Sequence, residues 1–187
     1  MTDPDSRIME SGGAFLQAFN CQAAVDDANQ IIVAADITNQ APDAGNLAPM
    51  LAQVRSNCGP PGNLTADSGY WTSGVEETCA EGGTEAWVAV ERRKHWGADT
   101  SVTEGPPPED ATPRGRMRHR LRTLDGRRIY SRRKAVVEPV FGQLKEGRGF
   151  RRFHLRGLVA ATAEWMLVCA THNLLELFRG GVGLGAA

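Results

Sequence analysis

The chain has 187 residues, 41% of them hydrophobic and 23% charged, with a formal net charge of -1 at pH 7. That suits one ordinary domain with a real core and argues against wholesale disorder. The neutral average hides a split, because residues 114–156 hold fifteen Lys and Arg against three acids, leaving six bases and nineteen acids elsewhere. A segment this basic is suited to a polyanion.

The N-terminal residues lack the basic and apolar regions of a secretory signal. Residues 159–178 are about as long as a membrane span, but they include Glu164, His172, Asn173 and Glu176, which are expensive in lipid. A buried amphipathic helix and no membrane partner are therefore expected. Cys21, Cys58, Cys79 and Cys169 show no C-x-x-C spacing and read as reduced thiols of a cytoplasmic protein. The histidines have no zinc spacing, and no P-loop pattern appears, so no nucleotide cofactor is expected.

In chain order, residues 1–13 read as a loose lead-in. Two β-prone runs, 19–25 and 31–37, read as an antiparallel hairpin. Leu47, Met50, Leu51 and Val54 recur at helical spacing and predict a helix, which Gly59-Pro60-Pro61-Gly62 closes. A strand then runs into Asp67 before a Ser-Gly turn; 75–80 reads as a helix and 86–90 as a strand. This alternation predicts an α/β sheet with helical crossovers. The Pro-rich stretch 97–115 reads as a linker or loop. Beyond it come a basic helix over 117–133, an apolar stripe over 135–144, a basic connection over 147–157 and a last helix over 158–178. The expected organisation is a sheet region 1–96, a linker 97–115, a helical part 116–180 and a flexible tail 181–187.

The motif with most chemistry runs from Tyr130 to Lys145. Seven positions separate Glu138 from Lys145, two turns of an α-helix, so both are expected on one face with the apolar stripe elsewhere. Arg132, Arg133 and Lys134 nearby could steer a phosphate backbone. Asp67 stands at a strand C-terminus, where ligands often project in α/β sheets, though an Asp before Ser-Gly also forms turns by itself.

The segment Tyr130-Ser-Arg-Arg-x4-Glu138-Pro-Val-Phe-Gly-x2-Lys145 continues into Gly149-Phe-Arg-Arg-Phe-His-Leu-Arg-Gly157 and Cys169-Ala-Thr-His-Asn-Leu-Leu. It resembles the C-terminal block of DDE-type transposases of bacterial insertion sequences. The usual spacing of that family would put Tyr at 131 and Arg at 134, where this chain has Ser131 and Lys134. Asn20-Cys-Gln-Ala-Ala-Val-Asp26, Ile32-Val-Ala-Ala-Asp-Ile-Thr-Asn39 and Leu64-Thr-Ala-Asp67-Ser-Gly-Tyr70 are similar to earlier strands of the same family.

The resemblance implies an RNase H-like mixed sheet with flanking helices, lacking its first central strand and with it the first catalytic aspartate. Asp3 and Asp5 read as poor substitutes, and Asp26, Asp36 and Asp43 as turn or loop acids. It implies Asp67 and Glu138 as catalytic and metal-binding acids, with two Mg²⁺ (or Mn²⁺) ions in the intact family site. Tyr130, Arg133, Lys145, Arg148, Arg151, Arg152 and Arg156 would contact DNA. The partners implied are the element ends and target DNA, with a homodimer, in a bacterial cytoplasm at the nucleoid. Two other readings remain at this point: a non-catalytic DNA-binding remnant, and an unrelated small basic nucleic-acid-binding protein. Without its central strand, the sheet should show a gap or pair the hairpin with the Leu64 strand, or the chain should aggregate when expressed alone.

Overall fold

The computed structural model describes residues 3–11, 13–91 and 101–180. The expected tail 181–187 and the first residues of the expected linker, 97–100, lie outside these. The chain divides into two compact units that interleave along the sequence: Met1–Ala41 with Val136–Ala187, and Pro42–Ala135. The segments 1–96 and 116–180 are thus each shared between the two units.

In the first unit, β1 (Arg7–Ser11) pairs antiparallel with β2 (Ala14–Ala18), and Gly13 in the turn takes φ 84°, which a tight hairpin turn favours. Residues 7–11 are therefore a strand, not part of a loose lead-in. The expected hairpin forms as β3 (Asn20–Val25) and β4 (Ile32–Thr38), also antiparallel. Asp26 closes its turn, accepting from the backbone N–H of Ile31 at 2.6 Å and of Asn29 at 3.3 Å.

In the second unit, α1 (Leu47–Cys58) buries Leu47, Met50, Leu51 and Val54, the stripe read from the sequence. The strand β5 (Asn63–Ala66), the helix α2 (Val75–Ala80) and the strand β6 (Glu85–Val88) make a parallel β-α-β unit. Arg55 reaches from α1 to donate to the carbonyls of Thr78 (3.2 Å) and Cys79 (2.9 Å), satisfying acceptors at the C-terminal end of α2.

The helix α3 (Pro113–Arg122) begins earlier than expected, within the predicted linker. Thr112 caps it, accepting from Gly115 N at 3.1 Å, and Pro113 occupies the first turn, where its missing N–H costs nothing. The basic helix predicted over 117–133 is interrupted at Thr123. There α4 (Leu124–Gly142) starts, with the Thr123 hydroxyl accepting from Gly126 N at 3.0 Å. A Cβ at Gly126 would run into the carbonyl of Arg120, so this close junction needs glycine.

Among the described residues the strands form three two-stranded sheets, β1–β2, β3–β4 and β5–β6. The Leu64 strand takes β6 as its partner and does not pair with the hairpin. The α/β composition expected from the sequence holds at this level.

The last helix, α5 (Leu158–Arg179), packs its Ala161, Trp165 and Cys169 against Ile32, Ala35 and Ile37 of β4, with Val140 and Leu144 in the same core. Polar bonds fix the register of this packing. Trp165 Nε1 donates to Gln22 O at 3.1 Å, His172 Nε2 to Gln30 O at 2.9 Å, and Asn173 meets the N–H and C=O of Ile32, both at 2.8 Å. Asp3 and Asp5 cap the start of α5, accepting from Gly157 N (2.8 Å) and Leu158 N (2.9 Å). Glu164 accepts from the backbone N–H groups of His154 and Leu155 at 3.0 Å, so this carboxylate serves the preceding loop.

Asn173→Ala leaves both backbone groups of Ile32 without their side-chain partner, and should cost about 1–3 kcal/mol in denaturant unfolding. The Gly157 N–H is the main influence holding the Asp3 carboxyl below its usual range. Its contribution is present above the ordinary aspartate pKa and is lost as the pH falls through the lowered one. Asp3→Asn should therefore flatten the acid limb of the stability profile, and an unchanged limb in acid titrations followed by circular dichroism would refute the cap.

Candidate functional site

In the second unit Asp67 directly follows β5 and is solvent-exposed. Its Oδ1 accepts from Gly69 N at 2.9 Å, capping the short 3-10 turn Ser68–Tyr70. The turn-forming role of an Asp before Ser-Gly is thus real, and Oδ2 takes no part in that bond. Asp43 lies on the other side of the turn. A Cβ at Gly69 would sit 3.1 Å from Asp67 Oδ1 and 2.6 Å from Asp43 Oδ2, so the absence of a side chain lets the two carboxylates approach. Burial first, and then the charges of Asp43 and Asp67, raise the Tyr70 pKa. The same acids line an open cleft of about 480 Å³ with Trp71, Glu91 and Arg114. Asp43, read from the sequence as a turn or loop acid, is therefore Asp67's neighbour.

Tyr130 and Arg133, on the part of α4 within this unit, join the same neighbourhood. The Arg133 guanidinium lies 5.7 Å from the centroid of the Tyr130 ring. Burial raises the Tyr130 pKa, Arg133 opposes that rise, and the charge of Asp67 adds to it. Tyr130 is thus within electrostatic reach of both Asp67 and Arg133. Other arginines of the basic segment are committed to the unit itself: Arg116 and Arg120 pair with Glu76, and Arg118 with Glu91.

In the first unit Glu138 is exposed on α4, immediately before Pro139. Proline donates no backbone hydrogen bond and loosens the helical ladder. At Gln143 the α-helix gives way to a π turn, Gln143–Gly147. Such a turn is wider than an α turn, so Lys145 does not stand two regular α turns beyond Glu138 as the spacing predicted. Its ammonium lies 5.6 Å from the Phe141 ring centroid.

The remaining basic residues differ in how they are held. Arg148 donates to Thr171 Oγ1 (2.6 Å) and Thr171 O (2.9 Å), which pins it to α5. Arg151 pairs with Glu146. Arg156 contributes to the field on Asp3. Arg152 is exposed and, among the described residues, has no hydrogen bond or ion pair.

Burial works against Cys21, Cys79 and Cys169 as nucleophiles. Burial pushes the Cys21 and Cys169 thiols up to about 12, and all four cysteines are free. Among the described residues, no group of three or more His, Cys, Asp or Glu is placed to hold a metal ion. The exposed carboxylates Asp67 and Glu138 are hard oxygen donors of the kind Mg²⁺ takes a few at a time, with water completing its shell.

The chain matches the transposase DDE domain over residues 3–174 and belongs to that family. No curated protein and no solved structure matches it. The family acts on DNA in transposition and generally uses divalent metal ions. Membership removes the reading of an unrelated basic protein.

Arg148→Ala should lower stability by about 0.5–1.5 kcal/mol through the lost Thr171 bonds, whereas Arg152→Ala should stay within about 0.5 kcal/mol of the parent. Thermal unfolding of the two variants side by side checks this; equal midpoints would mean that Arg148 is not a structural pin.

Proposed function

We propose that this chain carries two acids of a DDE catalytic centre, Asp67 and Glu138, on an RNase H-like framework that lacks the first. The observation that carries the incompleteness is the use of the alternative acids. Asp3 and Asp5 cap α5, Asp26 closes the β3–β4 turn, and Asp36 accepts from Ile37 N at 2.8 Å. Each of these four serves the backbone through an oxygen, as Asp67 does through Oδ1, and Asp43 is a further carboxylate of the Asp67 cleft. Asp67 and Glu138 would be the metal ligands of the chain. A pair of Mg²⁺ or Mn²⁺ ions in an intact site of this kind supplies an activated attacking oxygen and a stabilised leaving oxygen for cleavage and joining of DNA strands.

The protein's own residues would hold the DNA. Arg151, Arg152 and Arg156 extend along an exposed connection, with Lys145 and Arg148 beside it, and Tyr130 with Arg133 stand near Asp67. Contacts of this type go to phosphates, so they give affinity and salt dependence but not sequence choice. The reading is of a DNA-binding, catalytically incomplete transposase chain in the bacterial cytoplasm, working on element ends and target DNA as a homodimer. A non-catalytic remnant is its functional equivalent for this chain.

Purified protein with Mg²⁺ or Mn²⁺ and supercoiled plasmid should give no nicking above a Glu138→Ala control. It should still bind duplex DNA with an affinity that falls steeply with salt, and Arg152→Ala should reduce the salt slope by about 1. Nicking that depends on Glu138 would overturn the incompleteness. Absence of DNA binding would overturn the role given to the basic residues.

A further inference from the structure

The helix α5 is apolar on two opposite sides. Ala161, Trp165, Cys169 and His172 are buried on the side facing the β3–β4 hairpin. At about 100° per residue, Val159, Met166, Leu167, Leu174, Leu177 and Phe178 gather on the opposite side, 39% to 87% exposed. Its length and composition would pass for a membrane span. Yet Trp165, His172 and Asn173 are bonded to hairpin backbone, and Glu164 to the preceding loop. A helix that is apolar all round is ordinarily covered on both sides, and the hairpin covers one.

We infer that this outer face pairs with the same face of a second copy, antiparallel about a two-fold axis, with Leu167 packed against Ala170 of the other copy. This deepens the homodimer named in the proposed function by assigning its surface. A two-fold interface must be complementary to itself, and the order of residues along this face is. Six of the exposed positions, 159, 163, 167, 170, 174 and 178, are spaced by four, four, three, four and four residues, a spacing that reads the same in both directions. Turned antiparallel about its midpoint, the face sets Phe178 opposite Val159, Leu174 opposite Ala163 and Leu167 opposite Ala170. A larger side chain meets a smaller one at every level. A parallel pairing would oppose Ala163 to Ala163 and Phe178 to Phe178, leaving a gap and a clash.

The area is sufficient. Six large side chains of order 150 Å² each, exposed to this degree, put roughly 500–600 Å² of apolar surface on one face, a size at which patches mark interfaces. Pairing two such faces removes roughly 1,000–1,200 Å², the lower bound of a specific interface.

The test is sedimentation velocity with light scattering on the full chain at micromolar concentration, without DNA or metal, so its failure removes the homodimer but leaves the DNA-binding transposase reading standing. The parent should run at twice the mass of the chain. Ala163→Glu alone and Leu174→Arg alone should each give monomers with unchanged circular dichroism. The double variant Ala163→Glu, Leu174→Arg should recover the dimer, because antiparallel pairing sets each new charge opposite its complement. A monomeric parent overturns the inference, as does a dimer indifferent to both single changes or a double variant that stays monomeric. A parent that partitions onto phosphatidylcholine vesicles in place of dimerising also overturns it.

Discussion

The docking of α5 on the β3–β4 hairpin is the constraint on which the first unit rests. A two-stranded hairpin is marginal by itself in water, and this one gains a face to bury against. The Phe141 and Phe150 rings stack on Trp165, each with its centroid 6.2 Å away. Three successive residues of the helix then engage two separate pieces of chain: Thr171 holds Arg148, while His172 and Asn173 hold Gln30 and Ile32 of the hairpin. What looks in the sequence like a short family signature near the end of the chain is a structural seam. Hydrophobic contact supplies the adhesion, and the polar bonds choose one register among several that would bury similar area.

The same economy of polar groups shapes the candidate chemistry. Charged residues in this chain fall into those already committed to the fold and those left facing water. Glu164, Asp26 and the two N-terminal aspartates serve backbone N–H groups, and Glu76 gathers two arginines. Glu138 and Arg152 stand on the solvent side of that division, and Asp67 spans it, with one oxygen on Gly69 and the other outside the cap. The basic segment is accordingly less available than its charge suggests, because part of its guanidinium complement neutralises acids of the second unit. A count of bases overstates the surface that a phosphate backbone could meet.

How much of this was legible in the sequence depends on whether burial left a periodic trace. The β3–β4 hairpin, α1, α2 and α5 were, because one face of each is buried at its own period. The pair β1–β2 was not, because Ile8, Phe15 and Leu16 stay exposed and no alternation marks an inside. The start of α3 was written in Thr112-Pro113, a cap followed by a first-turn proline, but the surrounding prolines masked it. The spacing from Glu138 to Lys145 was read as regular helix, and nothing in the sequence announced the π turn. Asp43 beside Asp67 and Asp3 capping α5 were out of reach, since both depend on the tertiary path. The bare turn at Gly69 was a signal only in hindsight of the fold.

The first unit is discontinuous, and that bears on how the chain comes to be folded during synthesis. Residues 42–135 form one uninterrupted stretch and hold all of the second unit's contacts within themselves. They can close as soon as they have emerged. The β3–β4 hairpin and the capping aspartates emerge before that stretch but meet α5 only after it. At synthesis rates of about 5–20 residues per second, that wait is roughly 6–25 s. Throughout it Ile32 and Ile37 wait on a nascent hairpin for the helix that covers them, so a segment made before residues 42–135 is sheltered after them.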